Sequence, residues 1–116
     1  MATRPPLSRF VRAGQTVYIS GQLARGANGE IVPGGFAAQA RQALDNLRAA
    51  LEAAGCGLDD VAKATVWLTD AADFAEFNSI YREYFAEPHP ARSVVVSGLV
   101  APGAMVEIEA VAWLGE

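Results

Sequence analysis

Two residues have side chains that could do chemistry and stand where packing alone does not call for them. Arg92 follows Pro90-Ala91 at the head of an apolar run ending Val94-Val95-Val96, and Glu107 interrupts the alternating run from Met105 to Trp113. A guanidinium on a largely buried strand needs an anionic partner, because an unpaired buried charge costs several kcal/mol. One account is a structural ion pair between Arg92 and a carboxylate of the same chain. The other is that Arg92 awaits the carboxylate of a small molecule, which its planar fork can grip through two hydrogen bonds. Glu107 would then lie nearby, its pKa raised by partial burial so that it exchanges protons near neutral pH. Spacing alone leaves both accounts open.

The other chemistry-bearing residues exclude more than they suggest. There is no phosphate loop, no Cys/His metal spacing, no G-x-S-x-G elbow and no dinucleotide fingerprint. His89, the single histidine, lies between Pro88 and Pro90 and reads as a turn residue, which argues against a catalytic triad. Cys56, between two glycines, reads as a loop thiol; as the lone cysteine it permits no intrachain disulfide and fits a reducing compartment. Tyr81 and Tyr84, at helical spacing, read as core rather than as a ligand platform.

Nine Lys+Arg against thirteen Asp+Glu leave a net charge of −4, so no general basic footprint for nucleic acid exists. An acidic chain can still hold one cation in a pocket. No apolar stretch reaches the ~18 residues of a membrane-spanning helix. The segment from Met1 to Pro6 has a basic residue but no apolar run behind it, which argues against a signal peptide. A cytoplasmic location is the expectation. With 116 residues, 52% hydrophobic and 19% charged, the chain reads as a single folded domain over 1–116.

The elements that must position Arg92 and Glu107 follow from periodicity. Thr16 to Leu23 alternates as a strand, Asn28-Gly29 offers a tight turn, and Glu30-Ile31-Val32 reads as the return strand of a hairpin. Phe36 to Ala54 carries Ala40, Leu44, Leu47 and Leu51 in one apolar stripe, with Gly55 placed for a left-handed cap. Val61 to Thr69 returns to period two, Ala62, Ala64, Val66 and Leu68 facing one way and Lys63, Thr65 and Trp67 the other. Asp73 with Glu76 reads as a capping box opening a helix that carries Phe74, Phe77, Ile80, Tyr81, Tyr84 and Phe85. Pro88 and Pro90 end it, and Ala91 to Val96 and Met105 to Trp113 are strands.

The order β-β-α-β-α-β-β predicts an α+β fold, a mixed sheet with two helices on one face. Val106, Ile108, Ala110 and Ala112 suit the covered face. The opposite face would show Met105, Val111, Trp113 and Trp67 to water, which large apolar patches rarely tolerate. An oligomer that buries this face is the expectation.

Several stretches in register resemble the Rid (YjgF-like, reactive intermediate deaminase) family. They are Ser20-Gly21-Gln22, the run Ala38 to Leu47, Glu52-Ala53-Ala54-Gly55, Asp60 to Val66, Asp73-Phe74, Asn78, Pro90-Ala91-Arg92-Ser93 and Val106 to Ala110. The likeness runs in order from about Pro6 to Trp113. Each motif is modest; their order carries the weight.

The resemblance implies a chorismate-mutase-like fold packed as a homotrimer, with clefts between subunits. It implies hydrolysis of 2-imino acids, which arise from 2-enamino acids such as 2-aminoacrylate, to 2-keto acids and ammonia, with no metal or organic cofactor. The family's carboxylate-gripping arginine falls on Arg92 and its water-handling acid on Glu107. Its strand serine and glycine fall on Ser20 and Gly21, and its cleft asparagine on Asn78. Two positions depart. Leu7 stands where the commonest deaminases carry a tyrosine, and Val94, which keeps only a backbone donor, where they carry a cysteine. The cleft is therefore more apolar. Alternatives are a trimer that binds small carboxylates without turnover, or a deaminase of a larger catabolic enamine. RNA cleavage, attached to some family members, sits badly with the acidic balance.

Overall fold

The computed structural model describes residues 4–115; Met1 to Thr3, the head of the N-terminal segment, and Glu116 at the end of the expected domain lie outside them. In chain order the elements are β1 (Phe10–Ala13), β2 (Thr16–Leu23), α1 (Gly35–Ala53), β3 (Val61–Leu68), α2 (Phe74–Tyr81), β4 (Ala91–Val96) and β5 (Val106–Trp113). The five strands form one mixed sheet in the order β1-β2-β5-β3-β4. Only β3 and β4 run parallel, as their connection through α2 requires.

The expected α+β class and element order are present, but the first hairpin is built from other residues. Thr16–Leu23 pairs with Phe10–Ala13 across a turn at Gly14, whose φ of 61° suits glycine. The predicted return strand at Glu30-Ile31-Val32 makes only an isolated bridge, Arg25 to Ile31. Asn28-Gly29 does turn the chain, yet β5 already occupies the other edge of β2, leaving no edge for a full strand.

α1 buries Phe36, Ala40, Ala43, Leu44, Leu47, Ala50 and Leu51 against β2 and β5. It ends as its glycine foretold. Gly55 is at φ 86°, the Cys56 N–H donates to Leu51 O at 2.9 Å, and the Gly55 N–H donates to Glu52 O at 3.0 Å. Two details of the sequence reading change. A register shift between Val61 and Lys63 puts Ala62 outside and Val61 inside, whereas Ala64, Val66 and Leu68 are buried as expected. Asp73 makes no side-chain cap. Instead the Asp70 carboxylate accepts from the Ala72 N–H at 2.9 Å, capping a short 3-10 turn over Ala71–Asp73 that leads into α2.

α1 packs on α2, and both lie over the face that shows Val17, Ile19, Val66, Val106 and Ile108. Among the described residues no element covers the opposite face. There Tyr18, Val95 and Trp113 are 51%, 42% and 58% exposed, joined by Val11 and a half-buried Trp67. No described helix is long and apolar enough to cross a membrane.

Candidate active site

Arg92 enters on the edge strand β4, paired with Ala64 of β3, so its side chain lies on the helix-covered face. Its Nη2 donates to Asn78 Oδ1 of α2 at 2.8 Å. The guanidinium carbon sits 4.7 Å above the Tyr81 ring and 5.8 Å and 5.9 Å from the ring centres of Phe74 and Phe77. These aromatic faces hold a cation by their quadrupoles without consuming its hydrogen-bond donors. The ion pairs among the described residues are Arg41–Glu83 and Arg48–Asp45, and neither involves Arg92. A structural carboxylate partner for Arg92 is thus absent from the described residues. Two hollows open on the guanidinium. One of about 270 Å³ is bounded by Asn78, Tyr81, Arg82, His89, Pro90 and Arg92. The other, about 440 Å³, is lined by Leu68, Ala71, Phe74, Arg92, Val94 and Val96.

Glu107 lies in the middle strand β5, opposite Leu23 on one side and Trp67 on the other. Burial pushes its carboxyl above the ordinary range, and the nearby Glu109 adds to the rise. β2 is irregular between Ile19 and Gln22, and this brings Gly21 against the carboxylate. A Cβ at Gly21 would overlap Glu107 Oε2 and stand 3.0 Å from Cδ, so only glycine leaves the acid its place. Ser20 Oγ donates to Ser8 O, tying the N-terminal segment down. Leu7, Ser20 and Gly21 share a third hollow, of about 310 Å³.

The site residues expected from sequence therefore fall into two groups. Arg92, Asn78 and Val94 surround one end of α2; Glu107, Gly21, Ser20 and Leu7 gather at β2 and β5. The expectation that Glu107 lies beside Arg92 does not hold within one chain. Arg92 is in line with Ala64, and Glu107 with Trp67, three residues further along β3. An odd separation along a strand puts the two on opposite faces of the sheet.

Sequence reasoning missed the aromatic shelf. Phe74, Phe77 and Tyr81 recur at helical spacing, and core is what that spacing ordinarily means. Tyr81 is indeed buried, with its ring stacked on Phe85 at 4.4 Å, yet its hydroxyl has no hydrogen-bond partner. His89, read as a turn residue, borders the same hollow as Arg92.

Comparison with known proteins gives consistent matches along the chain. The family described as endoribonuclease L-PSP matches residues 1–114. Over 111 residues the chain is 46% identical to a 2-iminobutanoate/2-iminopropanoate deaminase of Bos taurus, covering 95% of this chain and 81% of that protein. The protein of the same name in Homo sapiens is 43% identical over the same shares. Among solved structures, RidA from an Antarctic Psychrobacter superposes with a TM-score of 0.90 at 42% identity, covering 97% of this chain and 91% of that one. The structure of E. coli TdcF with bound serine superposes at 0.87 with 36% identity, over the same shares.

Proposed function

The chain belongs to the Rid family, described also as endoribonuclease L-PSP, and on that premise we propose that it hydrolyses small 2-imino acids to 2-keto acids and ammonia. One observation carries the reading. Arg92 is held on Asn78 and an aromatic shelf, borders open space, and has no carboxylate partner among the described residues. The names of the relatives, 2-iminobutanoate and 2-iminopropanoate deaminases, support short aliphatic substrates. The serine in the TdcF structure supports a site for a small amino-acid-like carboxylate.

The substrate carboxylate pairs with Arg92 through two N–H donors, helped by backbone N–H groups near Gly21 and Val94. Glu107 takes a proton from a water as its oxygen bonds to the C=N carbon of the N-protonated imine, giving a neutral tetrahedral carbinolamine. The proton returns from Glu107 to nitrogen, the C–N bond breaks as ammonia departs, and the hydroxyl proton passes to Glu107 as the carbonyl forms. No cofactor is called for, because an imine carbon is already electrophilic. Proton transfer by a positioned carboxylate is worth typically 10²–10⁴ in rate.

Because the two groups occupy opposite faces of one sheet, the site is completed by a second copy: Arg92 from one chain and Glu107 from its neighbour. A homotrimer with clefts between subunits meets this need. It also buries the uncovered face of Val11, Tyr18, Trp67, Val95 and Trp113. Leu7 and Val94 make the cleft more apolar than one carrying tyrosine and cysteine at those places, which suits an alkyl side chain.

The test is ammonia release from 2-iminobutanoate generated in situ by an amino-acid oxidase. Wild type accelerates it and Arg92→Ala does not. Near-wild-type activity in that variant removes the site, and keto-acid saturation without ammonia release makes the protein a carboxylate binder.

A further inference from the structure

The hollow bounded by Asn78, Tyr81, Arg82, His89, Pro90 and Arg92 has a wall on which no Asp or Glu appears. Arg92 spends one N–H on Asn78 Oδ1, which leaves the Asn78 amide N–H groups free to point elsewhere. Arg82, just beyond α2, and the His89 ring add further donors. The Tyr81 hydroxyl is buried and unpartnered, an arrangement folded proteins rarely keep without a reason. Ring packing on Phe85 accounts for the burial of Tyr81 but not for its oxygen, since phenylalanine would stack equally well. A wall made of donors recognises an acceptor-only group, and with two guanidiniums on it that group is an anion. At about 270 Å³ the hollow has room for more than the single carboxylate that Arg92 would grip.

We propose that this hollow is a second anion subsite, built from Arg82, His89 and Tyr81, that receives the distal carboxylate of a dicarboxylic 2-imino acid. The proposal rests on the deaminase reading, in which Arg92 holds the 2-carboxylate. It extends the substrate class from alkyl imines to those bearing a side-chain acid. Arg92 borders both this hollow and the apolar one lined by Leu68, Phe74 and Val94, so a substrate gripped there can send its side chain either way. Alkyl groups favour the second and carboxylates the first.

The test is calorimetric binding of two product-like keto acids to the full chain in its native oligomer. 2-Oxobutanoate carries an alkyl side chain, and 2-oxoglutarate a terminal carboxylate. Wild type is expected to bind 2-oxoglutarate about tenfold more tightly. Tyr81→Phe, which keeps the ring beneath Arg92 and its packing on Phe85, is expected to erase most of that preference, read as the ratio of the two affinities. The pair Arg82→Ala with His89→Ala, neither of which holds Arg92, is expected to erase it while 2-oxobutanoate affinity stays unchanged. Equal affinities in wild type, or a preference that survives both variants, overturns the subsite. If 2-iminobutanoate is turned over and the preference is absent, the deaminase reading stands and this one falls. If neither keto acid binds and no ammonia is released, the deaminase reading has failed and takes the subsite with it.

Discussion

Replacing Gly21 by alanine perturbs Glu107 and little else. The backbone at Gly21 is not left-handed, so the methyl brings no conformational strain. It would overlap Glu107 Oε2 and stand 3.0 Å from Cδ and 3.3 Å from Cγ, closer than ordinary contact. The carboxylate must therefore swing away, its nearest oxygen by roughly an ångström. A displacement of that order at a reacting group costs about 10²-fold in rate, or about 2.7 kcal/mol of transition-state stabilisation. The loss should fall on kcat for 2-iminobutanoate, with keto-acid affinity nearly unchanged because Arg92 is untouched. The melting temperature should hold, since the obstructed group is the free end of a side chain. Gly57→Ala is the control: no heavy atom lies within 4 Å of a Cβ there and the backbone is extended, so it should behave as wild type. A Gly21→Ala enzyme with wild-type kcat would show that Glu107 does no work from this position.

Further outcomes test other parts of the account. Arg92→Lys keeps the charge but loses the planar fork and its stacking on Tyr81, so 2-oxobutanoate affinity measured by calorimetry should fall by about tenfold or more. Glu107 has a folded pKa raised above 4.5, so between that value and the raised one the folded chain holds a proton the unfolded chain releases. Its contribution to stability is greatest below this window and is lost as pH rises through the raised value. The urea midpoint of wild type should accordingly decline relative to Glu107→Gln on going from about pH 4 to about pH 7. Gln39, only 5% exposed, donates to Gly103 O at 2.9 Å and accepts from the Met105 N–H at 2.8 Å, pinning the entry to β5. Gln39→Ala leaves both backbone groups without that partner and should cost about 2–4 kcal/mol in chemical denaturation.

What could be read before folding follows from how local each signal is. The stripe of α1 and its Gly55 stop are set by residues within a few positions of one another, and both appear as expected. The alternation of β5 is equally local: Val106, Ile108, Ala110 and Ala112 are buried. β1 escaped notice because it is an edge strand of four residues, with only Phe10 turned toward the core and Arg12 and Ala13 exposed. Asn28-Gly29 misled for the complementary reason: a good turn does not supply a free sheet edge for the chain beyond it. The cap of α2 moved from Asp73 to Asp70 because a 3-10 turn precedes the helix, and either aspartate satisfies the composition rule.

For the site, residue type was legible and mutual placement was not. Arg92 stood out by its charge in an apolar run, and the structure leaves it open to a ligand among the described residues. That Glu107 faces the other way depends on the pairing of β3 with both β4 and β5, and pairing register is a long-range property. The orphan hydroxyl of Tyr81 is likewise invisible to periodicity, which sees an aromatic ring and nothing of the oxygen at its tip.

Subunit complementation tests the shared site most directly. Arg92→Ala and Glu107→Gln chains, each inactive alone, are unfolded together, refolded as a mixture and assayed for ammonia release. If each cleft takes its arginine from one chain and its acid from the next, random mixing restores about a quarter of the clefts of a trimer, and activity returns in that proportion. A mixture as inactive as its parents, with mixed oligomers confirmed by mass, would mean that the two groups do not meet across a subunit boundary.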